Sequence, residues 1–354
     1  MSSLLRRYVP GHFRHPWRLA ARLVRTGDPA AIYAMSLAAA GVAVAPLDFC
    51  LSFVEPRAGG DVSETTGPLL FICGGPRTGT TLVHQTLARH LPVSHFTNLT
   101  SLFPGAPLTA TRLFSRLLSD PVREYQSFYG RTTRLSGLND ALYLWDRWLG
   151  ADRLNPAPAL PSAAAEEMHR FFVAWRQLAQ RPLVAKCNRL NAAADHVATA
   201  LPEALFICVE RDPVWHAQSL LQARTLINGD ATTPYGLTDP TADDESDPVV
   251  GVVEQVRFHA ELAAAQEARI GPERFWRVSY EEFCQAPGDL IERVANALWS
   301  DRHQRPATVP IEPHRASNRR RVDADTFARI EALLAASRTT GGSISSTRTV
   351  TIDE

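Results

Sequence analysis

Lysine is almost missing from this chain. Of its 37 basic side chains one, Lys186, is a lysine, and the rest are arginines. A guanidinium is a rigid planar fork and an ammonium a compact point charge, so the lone lysine marks a place where arginine would not serve. Net charge is missing too. With 37 acidic against 37 basic residues over 354 positions, binding to nucleic acid or to a membrane by bulk electrostatics alone is excluded. Cys50, Cys73, Cys187, Cys208 and Cys284 form no CxxC pair. That excludes a disulfide framework or a zinc site and fits a reduced, cytoplasmic protein, with no metal expected. No apolar core follows Arg6-Arg7 before Pro10 and Pro16, so no secretory leader is expected. Long apolar runs are scarce, and the one uncharged stretch, 30–47 (AAIYAMSLAAAGVAVAPL), only approaches the length of a membrane span. Alanine and glycine dominate it, and Pro46 and Asp48 close it. It is expected as a buried or membrane-surface helix, with peripheral membrane contact through 30–54, rather than as a span.

Short apolar runs are present at 69–73, 183–187, 205–209 and 275–279, each followed by polar residues and a helical pattern. That alternation predicts an α/β fold with a parallel β-sheet flanked by helices. Between 97 and 165 the strand signal stops, and a mostly helical insertion carries the aromatic cluster Tyr143, Trp145 and Trp148, expected to cap a site or hold a substrate. The expected organisation is a helical extension over 1–60, one domain over 61–338, a flexible loop at 228–248 rich in Gly, Pro, Asp and Thr, a long helix at 249–270, and a disordered tail over 339–354.

The stretch GGPRTGTTLVH, 74–84, follows the first apolar run and opens a helix. Gly74, Gly79, Thr80 and Thr81 nearly match an ATP-binding phosphate loop in its strand-to-helix setting. Where that loop needs its lysine, this one has Thr80, so the bound group is not the end of a triphosphate. Backbone amides and the helix dipole make a socket for an anion. Thr78, Thr80 and Thr81 add hydroxyls, and Arg77 adds a fork suited to a tetrahedral oxyanion. The plainer alternative is a tight turn whose threonines only cap a helix. A second constellation lies in LFICVERDPVWHAQSLLQAR, where Arg211 ends a strand, Pro213 starts a helix, and Ser219 and Arg224 follow on it. Two anion sites at two strand ends imply a ligand with two separated phosphate-like groups.

Together, GGPRTGTTL and VERDPVWHAQS resemble the two binding motifs of the sulfotransferases that use 3′-phosphoadenosine 5′-phosphosulfate, a family built on a P-loop NTPase-like three-layer sandwich. The resemblance runs in order from Leu69 to Arg321. It implies that Arg77, Thr78, Gly79, Thr80 and Thr81 hold the 5′-phosphosulfate and that Arg211 and Ser219 hold the 3′-phosphate. RVSYEEFCQAP puts Tyr280 near the adenine, and ASNRRRVD offers Arg320 and its neighbours to the 3′-phosphate. LVAKCNRL puts Lys186 on the sulfuryl group. Arg77 and Lys186 would then stabilise the bridging oxygen of an in-line displacement without a metal. Where family members place a catalytic base this chain has Asn188 or Thr97-Asn98, which leaves His95, Asp140 or Asp146, with His95 and Asp140 preferred. The aromatic insertion and the apolar stretch favour the hydroxyl of a lipid, glycolipid or hydrophobic small molecule as acceptor. Two rival readings are a P-loop kinase or NTPase, with Glu210 as the acidic end of a magnesium-binding strand, and a non-catalytic nucleotide-binding homologue.

Overall fold

Four short runs, apolar almost throughout, become the strands β1 (Leu69–Cys73), β2 (Leu183–Lys186), β3 (Ala204–Glu210) and β4 (Phe275–Ser279). The structure is a computed structural model, and it describes residues 16–55, 68–118, 125, 127–242, 247–299, 301, 303, 305–307 and 310–340. The strands form one parallel sheet in the order β2-β1-β3-β4. Because side chains alternate across a strand, Leu69, Phe71 and Cys73 enter one core and Leu70 and Ile72 the other. The first core holds Phe206 of β3 together with Trp145, Phe172 and Val197, from the helices Leu142–Leu149, Ser162–Ala179 and Ala194–Ala200. The second holds Val83, Leu87, Ile291 and Val294, from the helices Thr80–His90 and Pro287–Leu298. Burial on both faces explains why the strands read as continuous apolar runs. The three expected layers are present.

The insertion corrects one expectation. Trp145 and Trp148 are not pocket walls: they lie in the core, Trp145 with its ring 5.5 Å from that of Phe71 and Trp148 5.5 Å from that of Phe172. Their helix turns its apolar stripe to the sheet, where two indoles bury more surface than a cleft would allow. Tyr143 donates its hydroxyl to the Thr100 carbonyl.

Two helices make up the described part of the extension, Pro16–Thr26 and Pro29–Ser52. Asp28 caps the second by accepting from the amides of Ala30 and Ala31. The pair is bolted to the body at both ends. Arg22 donates to the carbonyls of Leu226 and Ile227, and buried Asp48 accepts from the amides of Gly105 and Ala106. The helix Pro248–Ile270 starts on an Asp247 cap. Its Gln255 donates to the carbonyls of Tyr235 and Leu237, which ties down the first part of the loop expected to be flexible. Residues 243–246 and the tail from 341 lie outside the described residues.

Candidate active site

In the strand order β2-β1-β3-β4 the chain leaves β1 to one side and later returns on the other. A crevice therefore opens at the carboxyl end of β1, the place where parallel α/β sheets bind ligands. The glycine-rich loop occupies it. Gly74 has φ 134°, and a Cβ there would stand 2.4 Å from the Val209 carbonyl of β3. Gly79 has φ 102°, and a Cβ would strike the Tyr280 ring at 2.2 Å. Only glycine meets both demands at each position. As N-cap of the helix Thr80–His90, Gly79 also supplies no side-chain cap, leaving the first-turn amides to a ligand. Arg77 sits at φ 75°, a left-handed strain of about 1 kcal/mol or more for a residue with a Cβ.

His216 holds this loop from below. Its Nε2 is 2.9 Å from the Pro76 carbonyl, and since a carbonyl only accepts, that nitrogen carries the proton. Burial above all, then the neighbouring His259, pushes the His216 pKa down to about 3, so the ring stays neutral. Gly75 leaves room for it, because a Cβ there would come within 2.7 Å of His216 Cε1.

Three cations from three strand ends meet at a cavity of about 210 Å³. Arg77, in the loop after β1, donates from Nε to Ser219 Oγ at 3.2 Å, with its guanidinium 4.3 Å from the centre of the Tyr129 ring. Arg211 follows β3. It donates to the Arg77 carbonyl at 3.2 Å, to Asn318 Oδ1 at 2.7 Å and to the Ser317 carbonyl at 3.0 Å, and lies 5.1 Å from the centre of the Tyr280 ring. Burial is the main force lowering the Arg211 pKa, and the positive charges of Arg77 and Arg321 act in the same direction. Like charges gathered in this way make a socket for anions. Lys186 ends β2, is buried, and donates from Nζ to Asp140 Oδ2 at 2.6 Å.

Of the candidates from sequence, Arg77, Gly79, Thr80, Thr81, Asp140, Lys186, Arg211 and Tyr280 line this cavity. The others do not, each for a physical reason. Thr78 is buried, with its hydroxyl taken up by the Gly75 carbonyl at 2.8 Å. Ser219 supports Arg77 instead of facing the cavity. Arg320 is exposed on the irregular segment ahead of the helix Ala324–Thr340, which Gln218 fastens through the Arg319 carbonyl and the Arg321 amide, and Arg321 is the neighbour whose charge reaches Arg211. His95 lies with its ring 6.4 Å from that of His84, and burial pushes its pKa down to about 4. Arg224 is interior, donating to Gly251 O and Gln255 Oε1. Asp146 is held by Arg153 and Arg189.

At the positions where the resemblance implies a base the side chains are amides and a threonine, and Asn188 lines the cavity. Asn188 accepts from Thr80 Oγ1 at 3.2 Å. Thr97 caps its helix, and Asn98 bridges to Thr132 and Arg134. Glu210 is in a two-bond ion pair with Arg277, at 2.8 and 2.9 Å, and does not line the cavity. Tyr129, Gly130, Tyr235 and Ser317 line the cavity as well. No motif marks them, although Gly236, where a Cβ would stand 2.3 Å from Pro76 Cγ, is the kind of residue that lets a loop press on the phosphate loop.

A parallel sheet flanked by helices, with an uncapped helix start and clustered cations at its switch point, defines an α/β protein with a cationic socket at the carboxyl end of β1. Residues 68–301 match the sulfotransferase family, and the chain belongs to that family. Among solved structures it is similar to the sulfotransferase STF9 from Mycobacterium avium, at 18% identity and TM-score 0.46 over 86% of this chain and 76% of that one. STF1 from Mycobacterium tuberculosis H37Rv matches at 13% identity and TM-score 0.47, over 81% and 82%. The sulfotransferase domain of the Synechococcus PCC 7002 olefin synthase matches at 16% and 0.36, over 68% and 77%. No curated protein matches the chain.

Proposed function

We propose that the protein moves the sulfuryl group of 3′-phosphoadenosine 5′-phosphosulfate to a hydroxyl of a small-molecule, lipid or glycolipid acceptor. One observation carries this reading: Arg77, Lys186 and Arg211 converge on one cavity at an uncapped helix start. A donor with two separated anions fits such a pair of sockets. The loop amides, Thr80, Thr81 and Arg77 take the 5′-phosphosulfate, and Arg211 with the segment bearing Arg321 takes the 3′-phosphate.

In the transfer step the acceptor oxygen bonds to sulfur as the bridging S–O bond breaks, and the released charge goes to the phosphate of adenosine 3′,5′-bisphosphate. Positioned cations lower that barrier by meeting charge where it develops. Lys186 has three N–H donors, so it can keep Asp140 and still donate to the leaving oxygen. Asp140, on the cavity wall beside Lys186, takes the hydroxyl proton. His95 is the worse placed of the two, being outside the cavity lining. Tyr129 and Tyr235, edge to face at 6.4 Å, give the acceptor side an apolar wall suited to a hydrophobic alcohol or phenol.

The test is a thermal-shift series followed by turnover of labelled donor against alcohols, phenols and sugars. Adenosine 3′,5′-bisphosphate is expected to raise the melting midpoint, and label is expected to appear on an acceptor. Stabilisation by Mg·ATP alone would overturn the assignment in favour of a kinase. Stabilisation by the bisphosphate with no transfer to any acceptor would leave a nucleotide-binding homologue.

A further inference from the structure

The helix Pro29–Ser52 carries an apolar stripe that the protein does not cover. Of the helix's 24 residues only Ala30, Ala31, Gly41 and Asp48 are buried. Ile32, Val42, Leu47, Phe49, Phe53 and Val54 all stand exposed, Phe53 at 67%. At helical spacing, Ile32, Ser36, Ala39, Val42, Pro46, Phe49 and Phe53 follow one another along the outer face, and none is charged. The inner face is a different surface. There Leu37, Ala40, Val44 and Leu51 pack on Leu99, Leu102, Phe103 and Ala110.

The patch continues past the helix end. Glu55 accepts from the amides of Leu108 and Thr109, bringing the helix Pro107–Leu113 alongside, and Leu113 and Leu117 add 59% and 56% exposed leucines. At the other end, the helix Pro16–Thr26 presents Trp17, 87% exposed.

The charges around the stripe are sorted by sign. Every described carboxylate of this region is drawn inward onto backbone amides: Asp28 onto Ala30 and Ala31, Asp48 onto Gly105 and Ala106, Glu55 onto Leu108 and Thr109. Arg18, Arg25 and Arg112 are exposed beside the apolar side chains. An apolar stripe edged by an exposed indole and by arginines, with its acids hidden, matches the boundary between headgroups and acyl chains in a bilayer containing anionic lipid.

We propose that this face is a membrane-docking surface, with the helix Pro29–Ser52 lying parallel to the bilayer plane. Spanning is a different arrangement, and the bonds of Asp48 and Arg22 to the body oppose it. A helix pulled upright would leave a carboxylate in hydrocarbon and unpaired carbonyls at Leu226 and Ile227. The inference is independent of the sulfuryl-transfer reading, since vesicle binding needs neither donor nor acceptor.

Flotation of the full chain with vesicles tests it, comparing phosphatidylcholine alone with phosphatidylcholine plus phosphatidylglycerol. Binding is expected on the anionic vesicles and is expected to weaken as salt rises. Phe49→Glu/Phe53→Glu is expected to weaken it by roughly tenfold or more, and Arg18→Gln/Arg25→Gln to weaken it on anionic vesicles only. Circular dichroism and an unchanged melting midpoint show that each variant folds. Both sites lie on outward-facing positions, so no core contact is removed. Cys50 is the one exposed cysteine among five, the others being buried, and it takes a polarity-sensitive dye whose emission is expected to shift to the blue on vesicles. Absence of binding to either vesicle, equal binding by the Phe49→Glu/Phe53→Glu variant, or a dye quenched more by bilayer-centre than by interfacial quenchers would overturn the proposal. So would a concentration-dependent dimer, lost in the same variant, that does not bind vesicles. That result would assign the face to a second copy of the chain.

Discussion

At the scale of single residues, the contact between Lys186 and Asp140 decides most about the chemistry. A buried ammonium with one carboxylate at 2.6 Å is paired but not saturated, since two of its donors stay available to a ligand. Lys186→Ala is expected to lower kcat by on the order of 10² to 10³, the usual loss when one charge-stabilising donor is removed. Lys186→Arg is not expected to rescue it, because a planar fork cannot occupy a point-charge site. Asp140→Asn is expected to lower kcat by about 10² while donor affinity is kept. Single-turnover transfer and donor titration measure the two quantities separately, and an Asp140→Asn enzyme with wild-type kcat would remove Asp140 as base. Lys186 was legible in the sequence because it stands alone among the basic residues. Ser317 and Tyr129 were not, since side chains distant along the chain share a cavity only once the fold is built. Arg320 and Arg321 are adjacent and chemically identical, and only the path of their segment makes Arg321 the neighbour of Arg211.

At the scale of elements, the strand-loop-helix unit was the most legible part, because the positive φ of Gly74 and Gly79 is a local demand that glycine answers, even though the groups closing on them come from distant Val209 and Tyr280. Gly79→Ala adds a Cβ both to a left-handed backbone and into the Tyr280 ring. It is expected to cost about 1 to 3 kcal/mol and to abolish bisphosphate binding, read from urea unfolding and a binding isotherm. The helix Leu142–Leu149 was misread for an equally physical reason. Periodicity shows that a helix has an apolar face, but not whether that face meets a core or a ligand. Trp145→Ala is accordingly expected to cost roughly 3 to 5 kcal/mol of stability as a core truncation. The urea midpoint is the measure, and an unchanged midpoint would return the indole to the role of a pocket wall.

For the molecule as a whole, acid is the expected weakness. His216 and His259 are buried, with pKa values depressed mainly by burial to about 3 and about 4. In the unfolded chain both titrate near about 6.5, so below that pH the unfolded state takes up protons that the native state refuses. Stability is therefore full above about 6.5 and is lost as pH falls toward these native values, at roughly 1.4 kcal/mol per pH unit for each histidine. Urea midpoints at a series of pH values between 7.5 and 4.5 are expected to fall steadily, and a flat series would contradict the burial of the two rings. The broad architecture was readable from the alternation of short apolar runs with helical patterns, whereas the strand order, which creates the crevice, follows from pairings that no local pattern records.

The solitary lysine has one more consequence. A reagent selective for primary amines meets a single side-chain target in the entire sequence, and that amine opens onto the cavity. Peptide mapping after mild acylation thus becomes an occupancy meter. The fraction of Lys186 modified, followed with and without adenosine 3′,5′-bisphosphate, is expected to report how often the cavity is filled, with no background from any other side chain.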